Sequence, residues 1–169
     1  GYLEVLERNA DVLLDLVENI LSINQIDYTR GPLSRDKVHV NKIIGDAIVG
    51  MKPEIEKLNL QVKLTSEGEH FVQGNAVQIS QVIINLLGNA VKFTDSGEIE
   101  LKVEKLGIDD KNISLRFSVR DTGIGIPVEK QKYIFDAFTQ ENSSISKKYG
   151  GTGLGLTISN NILKYMGSH

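Results

Sequence analysis

Three short segments, arranged in one order along the chain, constrain its fold and chemistry more than any other feature. A segment with two asparagines, Asn85 to Phe93, is followed by a first glycine stretch, Asp121 to Pro127, and then by a second glycine stretch, Gly151 to Leu156. Either glycine stretch alone would be weak evidence, because short glycine motifs arise by chance. Together the segments supply a carboxylate, two side-chain amides, a cation and backbone amides that can meet phosphates. Their order predicts a site for Mg-ATP.

Hydrophobic periodicity predicts a mixture of helices and strands between Val38 and Met166. The predicted elements are a helix from an Asn41 cap to about Leu58, a strand over 60–64, a helix over 76–93, a strand over 98–104, a loop over 107–112, a strand over 113–121, a short helix around 128–137 and a last helix from the second glycine stretch to about 166. The apolar positions expected inside are Ile43, Ile44, Ala47, Ile48, Met51, Ile79, Val82, Ile83, Leu86, Ala90, Ile99, Leu101 and Val103. We therefore expect an α+β fold, a two-layer α/β sandwich in which helices cover one face of a mixed, largely antiparallel sheet.

The first 27 residues are predicted to form one long helix. Its apolar positions recur at spacings of three and four, which places them on a single seam: Leu3, Leu6, Ala10, Leu13, Val17 and Ile20. Further leucines and an isoleucine widen this seam, so it suits a helical bundle, with docking on the chain's own core as the alternative. Gly31-Pro32 ends the helix. The sequence thus divides into a helix over 1–30, a connector over 31–37 and a compact domain over 38–169.

Composition narrows the classes of function. Hydrophobic residues make up 40% and charged residues 24% of the 169 residues, and the apolar runs are too short to cross a bilayer. A net charge of −3, without a basic stripe, argues against nucleic acid as a partner. The sequence has no cysteine, which excludes disulfides and thiolate metal sites, and its three histidines stand in no catalytic setting. Because position 1 is Gly, we expect a piece of a longer polypeptide.

Asp121 is the most specific candidate residue. It ends a row of alternate apolar positions that we expect to face the core: Ile113, Leu115, Phe117 and Val119. A carboxylate turned inward needs a donor, and the exocyclic amine of adenine is one, whereas guanine has a carbonyl oxygen there. The alternative is that Asp121 caps the turn at Thr122-Gly123. Gly123, Gly125 and Ile126 are further candidate contacts to a nucleotide.

Asn85, Asn89 and Lys92 are spaced at i, i+4 and i+7, which places them on one face of a helix. A solvated face is the ordinary explanation, but asparagine is a poor residue inside a helix, and exposed faces more often carry Glu, Lys or Gln. Two amide oxygens one turn apart can ligate Mg²⁺, and Lys92 can then meet a phosphate. Phe93 is expected either to cover the adenine face or to fill the core.

The second glycine stretch opens the last helix, where backbone amides and the helix dipole favour an anion. Its candidate phosphate contacts are Gly151, Thr152, Gly153, Leu154, Gly155 and Leu156. A flexible turn is the alternative. The preceding loop over 139–150 carries Lys147 and Lys148 and is predicted to be a mobile lid, although such lysines are usually ordinary surface residues. Phe135 and Phe138 are predicted to anchor this lid by packing.

These residues resemble the catalytic and ATP-binding domain of sensor histidine kinases, within the GHKL ATPase superfamily. Residues 89–94 resemble the N box of the family, 121–127 its first glycine box, 135–138 its F box, 151–156 its second glycine box, and 147–151 the lid end of many hybrid-type members. The match covers about residues 38–166. Residues 1–27 resemble the second helix of the dimerisation and histidine-phosphotransfer domain that precedes this module.

The resemblance implies an α/β sandwich that binds Mg-ATP, with Asn89 on Mg²⁺ and Asn85 in support. Lys92 and the second glycine box would hold phosphates, and Asp121 would read adenine. The implied reaction transfers the γ-phosphoryl group to a histidine on the adjacent dimerisation domain, and from there to an aspartate of a response-regulator receiver. A homodimer through the N-terminal helix and a cytoplasmic location are also implied, without membrane contact by this chain even where the parent sensor is membrane-anchored.

Three departures from the family pattern bear on this expectation. The phosphoacceptor motif, a His followed by Glu/Asp-Leu-Arg-Thr-Pro, is absent, so this chain is not expected to phosphorylate itself. The family normally continues into closing strands after the position of Gly167, and we expect these to be missing here. Gly74-Asn75 stands where the family has Gly-Asp, which we expect to matter little.

Two other functions compete. ATP-hydrolysing superfamily members, such as type II topoisomerase subunits, mismatch-repair proteins and heat-shock chaperones, resemble one another in a glutamate one turn before the metal-binding asparagine, where it activates water. Here that position is Asn85, and an amide cannot act as a general base. The other competitor is a scaffold module that has lost nucleotide binding, against which the intact boxes argue.

Overall fold

The computed structural model of the chain describes residues 36–109, 112–136 and 153–168. The predicted helix over 1–27 and the predicted lid over 139–150 lie outside these residues. The candidate site residues outside them are Phe138, Lys147, Lys148, Gly151 and Thr152. The described residues form two compact units, which are divided between Gly125 and Ile126.

The first unit contains both strands and helices in the described ranges. They are β1 (Asp36–His39), α1 (Val40–Gly50), α2 (Lys52–Lys57), β2 (Gln61–Ser66), β3 (Phe71–Gly74), α3 (Ala76–Phe93), β4 (Glu98–Asp109) and β5 (Asn112–Asp121). β1 pairs antiparallel with β3, whereas the central strand β4 pairs parallel with β2 and antiparallel with β5. The predicted α+β class with mixed, largely antiparallel pairing is confirmed, although hydrogen bonds divide the strands into a two-stranded and a three-stranded sheet.

The core of the first unit lies between its helices and the three-stranded sheet. Alternation along β4 buries Ile99, Leu101 and Val103, as predicted. They pack in one cluster with residues of the three helices: Val40, Ile44, Ala47, Ile55, Ile83, Leu87, Ala90 and Val91. Burying one such side chain stabilises the fold by about 1.5–3 kcal/mol. This cluster therefore decides which face of each helix turns away from solvent.

The single helix predicted over 41–58 is two helices, α1 and α2, which are separated at Met51. Pro53 explains the break, because proline has no N–H to donate and its ring clashes with a helical carbonyl one turn earlier. The predicted inner side of α1 is largely right. Ile44 and Ala47 are buried, while Ile43, Ile48 and Met51 pack against the core at partial burial.

The predicted capping role of Asn41 is wrong. Helix α1 begins one residue earlier, at Val40, and the Asn41 amide bridges other parts of the fold. Its Nδ2 donates to Ser66 Oγ and to the Gly68 carbonyl, both at 3.0 Å, and its Oδ1 accepts from the His70 backbone N–H at 3.0 Å. The side chain thus ties the connection between β2 and β3 to α1.

Helix α3 spans Ala76–Phe93, as predicted. It begins after Asn75, whose Oδ1 accepts from two first-turn N–H groups at 2.9 and 3.2 Å. Asparagine caps helices about as well as aspartate, so the departure at position 75 still yields a capped helix. The buried face differs slightly from the predicted one, since Leu87 is buried and Leu86 is only half-buried. The reason is that α3 contacts both α1 and β5.

The β4–β5 hairpin is longer than predicted. Its strands reach Asp109 and Asn112, so most of the loop expected over 107–112 is strand. A register irregularity between Lys105 and Gly107 accommodates the extension. The two strands keep pairing through their backbone as far as Asp109 and Asn112. Backbone pairing leaves no signal in the residue types, and the polar residues here are of the kind found in turns, so the sequence predicted a loop.

The row of alternate apolar residues on β5 is only partly buried. Leu115 and Val119 pack against the core, whereas Ile113 and Phe117 are exposed. β5 is the edge strand in the described order β2-β4-β5, so it has a neighbouring strand along one edge only. The expected core-facing row is therefore right for two of its apolar members and wrong for the other two.

The second unit contains α4 (Val128–Gln131) and α5 (Gly155–Tyr165) in the described ranges. α4 is shorter than the helix predicted around 128–137, because the chain continues in turns over 132–135. α5 matches the predicted last helix, and Leu154, Ile158 and Ile162 are buried. Across the part of the chain that the structure describes, no helix has the length and apolar character needed to cross a membrane.

Replacing Asn41 with alanine is expected to lower the free energy of unfolding by about 1–3 kcal/mol, because the His70 N–H loses its acceptor, while the Gly68 carbonyl keeps the Ser66 hydroxyl as a donor. Urea unfolding followed by circular dichroism measures the change. Lys42→Ala is the matched control, since it removes only an exposed ion pair with Asp46, at 2.6 Å, worth about 0.5 kcal/mol or less. Equal losses in the two variants would contradict the role assigned to Asn41.

Candidate nucleotide-binding site

The predicted polar residues of α3 lie on one side of the helix and are partly desolvated. Asn85, Asn89 and Lys92 are each half-buried. Asn85 Oδ1 accepts from Gln81 Nε2 at 3.0 Å. The Lys92 ammonium lies 5.2 Å from the centre of the Phe93 ring, within the range of a cation–π contact. The helix therefore presents two half-buried amides and a cation on one side, with the cation close to an aromatic ring.

The first glycine stretch closes on the C-terminal end of α3. Its Ile124 N–H donates to the Phe93 carbonyl at 3.2 Å, and the last carbonyls of a helix have no partner within the helix. Gly123 lies so close that a Cβ atom there would be 2.2 Å from the Phe93 oxygen. Glycine is therefore the residue that fits here without displacing the helix end. The contact brings the turn that begins at Asp121 to the helix that carries the asparagines.

The Asp121 carboxylate is held at the start of this turn. Its Oδ1 accepts from the Gly123 N–H at 2.9 Å, and Asp121 is paired with the buried Ile99 at the end of the ladder. The expected inward, buried carboxylate is wrong: Asp121 is exposed, because the chain leaves the sheet at this residue. The alternative, in which Asp121 caps the turn at Thr122-Gly123, is confirmed by the bond from the Gly123 N–H. It uses one lone pair of a group that has about four acceptor sites, so the carboxylate retains capacity for a further donor.

The first glycine stretch also exposes apolar side chains. Ile124, at the end of the first unit, is 51% exposed, and Ile126, at the start of the second, is 44% exposed. Gly125 has a φ of 69°, which glycine adopts without strain. Ile124 stands three residues from Asp121, so an exposed apolar side chain lies close in sequence to a carboxylate that can accept a hydrogen bond.

The described part of the second glycine stretch forms the start of α5. Gly153 has a φ of 71°, Leu154 is buried at the N-cap position, and Gly155 and Leu156 are the first helical residues. Leucine has no side-chain acceptor for first-turn N–H groups, and an anion is favoured at such a helix end. Phosphate binding by these residues stays a prediction.

Phe135 does not pack as predicted. The residue is 49% exposed, while its carbonyl accepts from Thr157 Oγ1 on α5 at 3.0 Å. A hydrogen bond to the backbone, and not packing of the ring, therefore holds this segment to α5. Thr157 was not predicted from the sequence, where its one signal is a hydroxyl in the first turn of a helix.

The side-chain amides of α3 are the candidate metal ligands. In the described ranges, no three His, Cys, Asp or Glu side chains come together to hold a metal ion. Mg²⁺ keeps several waters and takes few protein ligands beside phosphate oxygens, so the half-buried amides of Asn89 and Asn85 fit this ion. The Asn85 oxygen already accepts from Gln81, which suits a supporting position better than the primary one.

Three residues that were not among the candidate contacts predicted from the sequence, Thr94, Thr122 and Gly97, lie at this site. Thr94, directly after α3, is fully buried, and its hydroxyl has no partner among the described residues. Leaving a buried hydroxyl unpaired costs about 1–3 kcal/mol, so a polar partner there would stabilise the site. Thr122 accepts from the Glu98 N–H at 3.0 Å, and Gly97 makes room for its hydroxyl. Such contacts across the fold leave no spacing pattern in the sequence.

Known proteins of similar sequence point to one family. The family model for the histidine kinase-, DNA gyrase B- and HSP90-like ATPases matches residues 74–169. The sensory/regulatory protein RpfC of Xanthomonas campestris pv. campestris is 33% identical over 168 residues, 98% of this chain and 23% of RpfC. The signal transduction histidine-protein kinase BarA of Escherichia coli K12 is 32% identical over 168 residues, 98% of this chain and 18% of BarA. The chain spans less than a quarter of these two relatives.

Solved structures have the same fold. Full-length ShkA, in complex with AMPPNP, is similar with a TM-score of 0.78 and 28% identity, over 98% of this chain and 34% of the ShkA chain. A nucleotide-free form of the catalytic domain of the histidine kinase ThkA is similar with a TM-score of 0.64 and 30% identity, over 77% of this chain and 80% of that domain. The predicted fold is thereby confirmed as that of histidine kinase catalytic domains.

Gly123→Ala is expected to lower the free energy of unfolding by about 1–3 kcal/mol, because the new methyl group would overlap the Phe93 carbonyl. Gly45→Ala in α1 is the control: a Cβ there meets nothing within 4 Å, and alanine in a helix should raise stability by up to about 1 kcal/mol. Thermal unfolding measures both changes. A Gly123→Ala variant as stable as the parent would show that the glycine stretch is not docked on α3.

Proposed function

We propose that this chain, which belongs to the histidine kinase-, DNA gyrase B- and HSP90-like ATPase family, is the ATP-binding catalytic domain of a sensor histidine kinase. In the proposed reaction, the γ-phosphoryl group of Mg-ATP passes to a histidine on an adjacent dimerisation domain and then to an aspartate of a response-regulator receiver. The observation that carries the proposal is the docking of Gly123 and Ile124 on the end of α3. This contact places Asp121, proposed to bind the base, in one unit with the side of α3 that is proposed to bind metal and phosphate.

Asp121 is proposed to read the base. With Oδ1 bonded to Gly123, the second oxygen would accept from the exocyclic amine of adenine and repel the carbonyl of guanine. A hydrogen bond to a charged group is worth about 1.5–3 kcal/mol, which corresponds to a preference of about 10- to 100-fold. Phe93 is half-buried beneath the Lys92 ammonium, which favours its lining the site over its filling the core.

Asn89 is proposed to hold Mg²⁺, with Asn85 in support and Lys92 on a phosphate oxygen. The bound ion would neutralise phosphate charge during transfer. The chain's own residues act by positioning the nucleotide, because phosphoryl transfer needs little covalent chemistry from the protein. The contributions of Lys147, Lys148 and the second glycine stretch stay predictions from the sequence.

ATP hydrolysis is less well supported as the main function. Superfamily members that hydrolyse ATP resemble one another in a glutamate at the position of Asn85. An amide cannot take a proton from water, and here the Asn85 oxygen accepts from Gln81. The site therefore lacks a base at the position where hydrolysis would need one.

We expect the purified chain to bind ATP weakly in a Mg-dependent manner and to hydrolyse it negligibly. Release of inorganic phosphate, followed with and without Mg²⁺ at saturating ATP, measures the turnover. Robust release by the purified chain would contradict the kinase proposal and favour the hydrolysing branch of the family.

Further parts of the proposal concern the whole protein. RpfC and BarA are much longer than this chain, so the dimer, the receiver partner and the cytoplasmic location are proposed on the resemblance. The helix over 1–27, through which the dimer would form, lies outside the described residues. Light scattering of the full-length protein tests the dimer, and a monomer at high concentration would contradict it.

Asp121→Asn is expected to weaken ADP binding about 10- to 100-fold, because the charged acceptor for the adenine amine is lost. Calorimetric titration with ADP and a non-hydrolysable ATP analogue, with and without Mg²⁺, measures this. Asp46→Asn makes the same charge change on the exposed side of α1, where Asp46 pairs with Lys42, and should leave the affinity unchanged. Absence of binding by the parent chain would favour the scaffold alternative.

A further inference from the structure

The hydroxyl of Thr122 occupies the last rung of the β4–β5 ladder. Asp121 is the last paired residue of β5, opposite Ile99. One residue further on, the Glu98 N–H donates to Thr122 Oγ1 at 3.0 Å, and the Thr122 N–H donates to the Glu98 carbonyl at 3.2 Å. A regular antiparallel pair would use the Thr122 carbonyl as the acceptor. The side chain therefore takes the place of the backbone.

This replacement lets the backbone leave the sheet directly after Asp121. The chain turns toward α3, where the Ile124 N–H reaches the Phe93 carbonyl at 3.2 Å. Within the same turn, the Gly123 N–H donates to Asp121 Oδ1 at 2.9 Å. A Thr122 carbonyl bonded in the ladder would continue the strand direction and carry these N–H groups away from their acceptors.

The turn that precedes β4 is shaped around the same hydroxyl. Gly97 has a φ of 124°, and a Cβ atom there would lie 2.2 Å from Thr122 Oγ1. The Thr122 hydroxyl also lies 3.3 Å from the Glu98 carbonyl, to which it donates. Thr122 Oγ1 is thus fitted against the backbone of Gly97 and Glu98, and Thr122 differs in this respect from a threonine that only covers a sheet surface.

We propose that Thr122 is a positioning residue for recognition of the base: its hydroxyl fixes the turn from Asp121 to Gly123, so the carboxylate is oriented before the nucleotide arrives. This inference rests on the proposed function, in which Asp121 reads adenine. Thr122 does not contact the base and acts through Asp121. Selectivity for adenine then depends on an uncharged residue whose hydrogen bonds go to the backbone of β4.

A role in stability alone makes a different prediction. If the hydroxyl only stabilised the hairpin, its loss would lower the folded fraction and weaken binding of all nucleotides equally. If it orients the carboxylate, its loss weakens the bond to the adenine amine and relieves the repulsion of a carbonyl at the same ring position. Hypoxanthine, the base of IDP, has a carbonyl at that position. The ratio of the affinities for ADP and IDP therefore separates the two roles.

Calorimetric titration of the 169-residue chain with ADP and IDP measures this ratio in the parent, in Thr122→Val and in Thr122→Ser. Valine keeps the shape of threonine without the hydroxyl, and serine keeps the hydroxyl. We expect Thr122→Val to lower the ADP/IDP affinity ratio about three- to tenfold and Thr122→Ser to hold it within about twofold. Thr65→Val is the matched control, because Thr65 Oγ1 donates to Glu100 Oε1 at 2.9 Å elsewhere in the same sheet. It should leave the ratio unchanged.

An unchanged ratio in Thr122→Val would overturn the role of Thr122. The proposed function would survive that result, provided that the parent prefers ADP and Asp121→Asn loses the preference. A parent chain without preference for ADP would overturn both the inference and the adenine-reading role of Asp121. Should Thr122→Val not fold by circular dichroism, Thr122→Ala takes its place, since it removes the hydroxyl without adding a methyl group beside Gly97.

Discussion

The contact between Gly123 and the Phe93 carbonyl is the constraint on which the rest of the site depends. The end of a helix leaves carbonyls without partners, and the first glycine stretch meets one of them with the Ile124 N–H and with a residue that has no Cβ. The end of α3 is thereby joined to the end of the β4–β5 ladder. Asp121 and the two asparagines of α3, Asn85 and Asn89, come from separate parts of the chain, and this contact places them in one unit.

The hydrophobic core beneath the site explains how α3 can present asparagines at all. Asparagine is unfavourable inside a helix, but packing of the opposite positions of α3 against α1 and the three-stranded sheet offsets that cost. The same packing sets the rotation of the helix, which leaves Asn85, Asn89 and Lys92 half-buried. Partial loss of hydration strengthens the interaction of such groups with ions. The core thus stabilises the fold and holds the residues proposed to bind the metal and phosphates.

Local, repeated patterns predicted the structure well, and single residues with distant partners did not. The bounds of α3 follow from the Asn75 cap and a long apolar period, and the buried residues of β4 follow from strict alternation. Asn41 has the residue type of a cap, but its amide bonds to groups near the β2–β3 connection. Pro53 broke a helix whose apolar spacing continues past it.

The sequence by itself determined the order of the elements, the α+β class and the set of residues available for nucleotide chemistry, because periodicity and motif spacing are local properties of the chain. The sequence left the turn-capping role of Asp121 as one of two alternatives, and only the tertiary structure decided that Asp121 is exposed and that the Thr122 hydroxyl ends the ladder at Glu98. Burial and hydrogen bonding depend on which backbone groups meet across the fold. Those neighbours come from segments far apart in the sequence, so no pattern within one segment encodes them.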